Sequence, residues 1–342
     1  MAAIVERAHD GPPDHTAGRT CNPHVVTAPA APTALDMVDG VDLTGKTVVI
    51  TGASAGLGRE SARALAATGA HVILAARNAD ALADTAAWVR EHVPDATLSA
   101  VHLDLTSLGS VAAAAAQIAE LTPVVHVLMN NAGVMFTPFS RTVDGFEIQF
   151  GTNHLGHFEF TRLLLPALVA ADGARVVVLA SDGHRMGDID FDDPNWERRE
   201  YDKFAAYGAA KTANVLHAVE LDRRLRDRGV RAFAVHPGIV ATSLARHMTA
   251  ADFQWLNHHA RAQRTSEPSG SRAVDVTKDF TTAEHGAATQ VWAAVNADLD
   301  AVDGVYLSDC RLSDAAPYAT DEARALTLWD LSERLCTAAA PN

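Results

Sequence analysis

Cysteine is scarce in this chain. Cys21, Cys310 and Cys336 are the three among 342 residues, far apart and with no CxxC pair, which leaves neither a disulfide framework nor a zinc-ligand pattern. Free thiols fit a reducing cytoplasm, the expected location. Long apolar runs are missing too. No stretch approaches 18 uninterrupted apolar residues, and Glu6, Arg7, His9 and Asp10 interrupt the N-terminus before an apolar leader segment can form. Neither a membrane span nor a signal peptide is expected. Positive charge is in deficit: 28 Lys and Arg against 42 Asp and Glu leave a net charge of −14, the wrong sign for binding phosphate backbones, so no nucleic-acid partner is expected. The sixteen histidines invite a metal. Yet His154/His157 and His258/His259 lack an HExxH pattern, so no metal is expected.

What is present is material for a core. Apolar residues make up 48% and charged residues 20%, the usage of a folded globular protein acting on small molecules. Five prolines (Pro12, Pro13, Pro23, Pro29, Pro32) crowd the first 40 residues, which show no helical or strand period. Residues 1–40 therefore read as a disordered tail and 41–342 as one domain. Organised sequence begins at Thr44-Gly45-Lys46 and the β-branched run Thr47 to Ile50. Further apolar runs follow at His71 to Ala75, Leu98 to Leu103, Val124 to Met129, Arg175 to Leu179, Val230 to Val235 and Gly304 to Leu307, making seven strands. Helical stretches lie between them: Gly58 to Thr68, Ala79 to His92, Leu108 to Leu121, Gly145 to Ala170 and Tyr207 to Asp227. Regular alternation predicts an α/β fold, a single Rossmann-type doubly wound domain whose seven-stranded parallel sheet carries helices on both faces. Irregular stretches at Asp182 to Ala206 and Ile239 to Glu284 interrupt it, and the second reads as a substrate loop or lid.

The first strand runs into Thr51-Gly52-Ala53-Ser54-Ala55-Gly56-Leu57-Gly58 and then a helix. Glycines in that setting let backbone N–H groups approach a pyrophosphate at a helix N-terminus, where the macrodipole favours negative charge. The end of the second strand, where an acidic residue would bind ribose hydroxyls, is Ala75-Ala76 followed by Arg77. A guanidinium there suits the extra 2′-phosphate of NADP, so NADP(H) is the expected cofactor, with NAD(H) the secondary choice. Asp104 and Asn130-Asn131-Ala132-Gly133 close the third and fourth strands at the same sheet edge. Taken alone, Asp104 also reads as a helix cap and the asparagines as a turn.

Tyr207 and Lys211 stand four apart, on one helical face. A phenol titrating near 10 exchanges protons poorly at neutrality, and a neighbouring cation lowers that value by stabilising phenolate. Ser181 directly follows the fifth strand, at the edge that carries the glycine turn, where it can polarise a substrate oxygen. Asn153 lies inside a helical stretch, where its amide can hold a proton-relaying water or serve as a satisfied core amide. Met186, Phe191, Trp196, Tyr201 and Phe204, between Ser181 and Tyr207, are candidates for an apolar wall, as are Met248, Phe253 and Trp255 in the second loop.

TGASAGLG, NNAG, Asn153, Ser181, YGAAK and His236-Pro237-Gly238, in that order, resemble the short-chain dehydrogenase/reductase family. NNAGVM, DGFEIQFGTNHLGHF, HPGIV and GVYLSDC resemble its retinol dehydrogenase-like subgroup, and the likeness runs from about Thr44 to Cys336. The resemblance implies Tyr207 as proton donor or acceptor and Lys211 on the nicotinamide ribose. It implies Ser181 on the substrate oxygen, with Asn153 completing a tetrad. Gly52, Ser54, Gly56, Leu57 and Gly58 would cradle the pyrophosphate, with Asp104 on adenine, Asn131, Ala132 and Gly133 on the adenosine side, and Pro237, Gly238 and Thr242 near the nicotinamide. Ala180 and Ala210 depart from the family, which commonly has serine at both positions. The expected activity is hydride transfer to or from a carbonyl or alcohol of an apolar small molecule, in a homodimer or homotetramer. A catalytically silent NADPH sensor or scaffold is the alternative, disfavoured by the intact Ser-Tyr-Lys set.

Overall fold

Thr47, Val48, Val49, Ile50 and Thr51 form β1, with every residue buried. Val48 and Ile50 face one apolar layer while Val49 faces the other, the alternation of a strand covered on both sides. The computed structural model describes residues 31–171, 173–264 and 280–339. After β1 come α1 (Gly56–Ala66), β2 (His71–Ala76), α2 (Ala79–His92), β3 (Thr97–His102), α3 (Leu108–Leu121) and β4 (Val127–Asn130). Next are α4 (Ile148–Phe150), a π-helical turn over Gly151–Leu155, α5 (Gly156–Val169), β5 (Ala174–Leu179), α6 (Lys203–Leu225) and β6 (Val230–His236). The chain continues through α7 (Ala250–Arg264), α8 (Ala283–Gly286), α9 (Ala288–Val295), β7 (Tyr306–Ser308), β8 (Arg311–Leu312) and α10 (Glu322–Ala339).

The sheet order is β3-β2-β1-β4-β5-β6-β7-β8, parallel from β3 to β7. The chain winds outward from β1 in both directions, so the β1/β4 boundary is the topological switch point and a crevice opens beyond their C-terminal ends. One helical layer takes apolar side chains from α3, α5, α6 and α10, and the other from α1, α2 and α9.

Two expectations need correction. The sheet has eight strands, not seven: β8 pairs antiparallel with β7, Leu307 opposite Leu312. Asp309 (φ 50°) and Cys310 (φ 53°) make the turn between them, the doubly left-handed geometry of a tight hairpin. Residues 32–40, expected within the tail, also belong to the domain. Residues 1–30 lie outside the described residues, but 32–40 are ordered against the domain. Ala34 is fully buried and donates its N–H to Glu284 O at 2.8 Å, while Val38, Leu35 and Met37 pack into the α1/α9 layer. A single 3₁₀ turn, Asp36–Val38, is too short for its apolar residues to show a period. A chain beginning at Pro32 is expected to melt like the full-length protein. One beginning at Val41 loses apolar burial worth roughly 1.5–3 kcal/mol per fully buried side chain and should melt several degrees lower. Equal melting temperatures for the two truncations would show that the segment contributes nothing.

Candidate active site

The glycine turn is built by close approach. Gly52 has φ +67°, and a Cβ there would meet Ala132 Cα at 2.8 Å. A Cβ on Gly58 would meet Gly52 O at 2.4 Å and Asn131 Nδ2 at 2.7 Å. Substitution at either position pushes the β4 loop off the start of α1. Ala55, the N-cap of α1, has no side-chain hydrogen bond to the helix, which leaves the first-turn N–H groups, those of Leu57 and Gly58 among them, to an anionic ligand. Ser54 is half-buried beside them. Asn131 Nδ2 donates to Thr51 O at 2.8 Å, so this side chain fastens β4 to β1. Its neighbours Ala132 and Gly133 are half-buried at the same edge.

Thr51 itself, absent from the sequence-based candidates, is the hub of this edge. Its Oγ1 accepts the N–H groups of Asn131 (2.9 Å) and Ala132 (3.0 Å) and lies 2.8 Å from His157 Nε2. His157 Nδ1 is 2.9 Å from Asn153 O. A carbonyl only accepts, so Nδ1 carries the proton and Nε2 accepts from the Thr51 hydroxyl. Burial holds His157 neutral, down to about 4. A buried Thr next to glycines reads as an ordinary strand end, and no local signal distinguishes it.

Arg77 sits exposed at the end of β2, while Asn78 caps α2 by accepting Ala81 N–H at 3.0 Å. Asp104 follows β3 and uses Oδ1 locally, accepting from Thr106 N–H and hydroxyl at 2.9 and 2.8 Å. That is a local turn rather than a helix cap, since Ser107 caps α3. At the far side of the crevice Gly238 has φ +81°, one residue after Pro237. Thr242 Cγ2 would lie 3.2 Å from a Cβ on Gly56, so the loop after β6 closes over the glycine turn.

Tyr207 and Lys211 project from α6 into this crevice, both buried, with Lys211 Nζ 5.7 Å from the Tyr207 ring centroid. The helix starts four residues earlier than expected because Asp202 caps it, accepting from Phe204 and Ala205 N–H. Lys211 Nζ donates to Leu179 O at 2.7 Å. Ser181 caps the 3₁₀ turn Asp182–Met186, accepting Gly183 N–H at 3.0 Å, and its Oγ and the Tyr207 ring both lie close to Gly183. The expected lowering of the phenol is not what the structure gives. Burial pushes Tyr207 up to about 12, opposed only by the nearby Ser181 hydroxyl, and burial pulls Lys211 down to about 7. Both groups lose water together, and that loss sets the direction of both shifts.

Asn153 is a satisfied core amide, one of the two readings its sequence position allowed. Its amide bonds one residue, Oδ1 accepting Val134 N–H at 2.8 Å and Nδ2 donating to Val134 O at 2.9 Å. It holds the β4 loop. The stretch read as a plain helix carries the π turn here, a distortion that often marks functional positions.

The loop 239–284 is not irregular throughout. Its stems are tied, Thr281 N–H to Ile239 O at 2.8 Å and Ala241 N–H to Thr281 O at 3.1 Å, and α7 runs between them. Residues 265–279 lie outside the described residues. Lys203 Nζ pairs with Asp252 Oδ2 at 2.7 Å, and the Phe204 and Trp255 rings stack at 4.0 Å. A cleft of about 590 Å³ opens there, lined by Pro138, Tyr201, Phe204 and Trp255 with Glu200, Asp202 and Lys203. Trp196 and Phe191, by contrast, pack under Arg199 and Arg324, and Met186 Cε lies against Gly183. Among the described residues no helix is long and apolar enough to cross a membrane.

The family model for the short chain dehydrogenase matches residues 46–252. Human retinol dehydrogenase 13 is 40% identical over 300 residues, covering 88% of this chain and 87% of that protein. A chloroplastic short-chain dehydrogenase, TIC 32 B of Brassica napus, is 36% identical over 324 residues, covering 90% and 93%. The crystal structure of an uncharacterised protein from Mycobacterium paratuberculosis aligns with TM-score 0.68 at 34% identity, covering 89% and 97%. With a single Rossmann-type domain and these relatives, the chain belongs to the short-chain dehydrogenase family, as an oxidoreductase of its retinol dehydrogenase-like group.

Proposed function

We propose that the protein is an NADP(H)-dependent alcohol dehydrogenase or carbonyl reductase acting on an apolar small molecule, with Tyr207 as general acid/base. The observation that carries this reading is the convergence of Tyr207, Ser181 and Lys211 on the crevice bordered by the glycine turn. The residues present fit a dinucleotide. Gly52 and Gly58 leave a cradle that a Cβ would fill, and α1 begins with unspent donors. A bound nicotinamide supplies the hydride acceptor or donor.

The chain's own residues do the rest. Ser181 Oγ holds the substrate oxygen beside the Tyr207 hydroxyl. With its titration raised to about 12, Tyr207 is a neutral phenol at physiological pH and gives its proton to the oxygen of a carbonyl being reduced. Lys211, buried and near neutrality, gains charge when ribose hydroxyls and phosphate come near, and that charge then favours phenolate. Retinol, in the names of the mammalian relatives, is a long apolar alcohol of the substrate type proposed here. Turnover of NADPH with a panel of aldehydes, ketones and retinal, against NADP with the corresponding alcohols, tests this reading. No turnover with any of them would overturn it.

Helix α7 acts as the cleft's cover, held by the Lys203–Asp252 pair. Burial alone would raise the Asp252 carboxyl, but the Lys203 ammonium and the Thr249 N–H and hydroxyl together hold it below its ordinary value. A lowered carboxylate stabilises its fold above the unfolded value near 4 and loses that contribution as pH falls through the folded value, so the latch is intact at neutrality. Asp252→Asn removes a charge-assisted bond worth about 1.5–3 kcal/mol, discounted for Lys203, whose side chain is 26% exposed. The KM for an apolar substrate should rise roughly 5- to 10-fold, and amide exchange in α7 should quicken. Unchanged exchange would sink the cover.

A further inference from the structure

A buried amide network outside the proposed catalytic groups joins four separate parts of the site. Gln149 is fully buried, at the start of the helix that carries the π turn. Its Oε1 accepts Phe136 N–H at 2.8 Å, and its Nε2 donates to Lys203 O at 3.0 Å and Tyr201 Oη at 2.9 Å. The partners fix the amide's orientation, since an N–H only donates and a carbonyl only accepts. Tyr201 in turn donates to Glu147 Oε1 at 2.9 Å, and that carboxylate also accepts Gln149 and Phe150 N–H. No hydrogen bond of the Gln149 side chain is spent on its own helix, and each one reaches another segment: the β4 loop, the insert before α6 and the first residue of α6.

Phe136 is an improbable residue for its place. It sits in the left-handed region, φ 51°, where a bulky side chain is strained and must be held by its surroundings. Its ring is wedged between Tyr207, edge-on at 5.0 Å, and Phe204 at 4.7 Å, and Phe204 lines the cleft. The ring thus stands between the phenol and Phe204, on the side of the cleft that the proposed function gives to the substrate.

We propose that Gln149 is a positioning residue that sets substrate specificity by clamping Phe136 as the wall beside Tyr207, favouring flat, apolar carbonyls and alcohols over small aliphatic ones. This rests on the reading of Tyr207 as the acid/base. A polar clamp fits the role better than apolar packing, because only a directional bond pins the strained backbone on which the ring's position depends.

The test compares Gln149→Met, Phe136→Leu and the double variant, each with NADPH, on cinnamaldehyde and propanal. Gln149→Met should lower the cinnamaldehyde-to-propanal ratio of kcat/KM about tenfold, mainly through the cinnamaldehyde KM, with NADPH affinity unchanged. Phe136→Leu should do the same, and the double variant should lose no more than the larger single loss, as expected of residues acting through one another. An unchanged ratio in Gln149→Met, or multiplicative losses in the double variant, would overturn the proposal. If Gln149→Met does not fold, Gln149→Glu substitutes for it. Its carboxylic acid can replace the amide at both Phe136 and Lys203 only when protonated, so selectivity should return at low pH, and selectivity independent of pH counts against the clamp. Labelling with 4-fluorophenylalanine gives a readout free of turnover. The Phe136 fluorine signal, assigned by its loss in Phe136→Leu, should move or broaden in Gln149→Met while distant signals hold, and a fixed Phe136 signal would overturn the clamp even if no aldehyde is turned over. Retained activity in Tyr207→Phe would defeat the acid/base reading alone, leaving the fluorine result to judge Gln149.

Discussion

Tyr207→Phe is expected to lower kcat by about 10²–10⁴-fold, the usual worth of a positioned general acid/base, while NADPH affinity stays within experimental error. The substitution removes one hydroxyl from a ring that packs edge-on against Phe136 and leaves the contact with Lys211 in place. Little else changes. The proton chemistry also has a direction. With the phenol pushed up to about 12, the proton needed for carbonyl reduction is present throughout the physiological range, so reduction should show a flat profile near neutrality. Alcohol oxidation needs phenolate, whose fraction grows with each pH unit below that value, so its kcat should climb with pH over the same range. Bound cofactor that charges Lys211 shifts the climb to lower pH without reversing it. Stopped turnover assays in both directions, for wild type and Tyr207→Phe, read this directly. A mutant retaining more than a few per cent of wild-type rate, or an oxidation rate that falls as pH rises, would remove Tyr207 from the chemistry.

What the sequence disclosed depended on whether the cause was local. The limits of α2 and α3 follow from Asn78 and Ser107, whose side chains cap Ala81 and Ser110 N–H, and such caps are visible in sequence. The sheet edge that carries the site was legible because the apolar runs of β1 and β4 end in glycine and asparagine. The β7–β8 hairpin was hidden because its turn is Asp309-Cys310, with none of the Asn-Gly or Gly-rich signals that normally mark two left-handed residues. The π turn was hidden because an extra residue in a helix leaves composition unchanged. Site chemistry divides the same way. That Tyr207 and Lys211 share a face follows from helical spacing, but the balance of burial against attraction that sets their titration depends on how much water the whole fold excludes. Asn153 could be placed at the site, yet which atoms its amide satisfies was decided by Val134, nineteen residues upstream. Thr51 and Gln149 gave no local sign, since their importance lies wholly in partners distant along the chain.

Wild-type protein is expected to use NADPH over NADH by roughly ten- to a hundred-fold in kcat/KM, and Arg77→Ala to erase most of that difference. A guanidinium bond to a phosphate oxygen is worth about 1.5–3 kcal/mol, and each 1.4 kcal/mol is a factor of ten. Arg77 is the proposed donor. The residue stands exposed directly after β2. Ala75 and Ala76, both buried, offer no carboxylate to repel the 2′-phosphate or to bind a free ribose diol. Arg59, one residue after the last glycine, is the other cation within reach of sequence reasoning. Its guanidinium lies 4.0 Å over the Trp88 ring, a contact that occupies its face and restrains it. Arg59→Ala should therefore change the cofactor ratio by less than Arg77→Ala does, and Arg77→Glu should invert it by adding repulsion to the loss of attraction. Because Arg77 is solvated, the preference should also shrink as salt is raised. Kinetics with both cofactors in wild type and the three variants decide the matter. Equal use of NADPH and NADH by wild type, or an unchanged ratio in Arg77→Ala, would refute Arg77 as the phosphate ligand, and a larger loss in Arg59→Ala would move that role to α1.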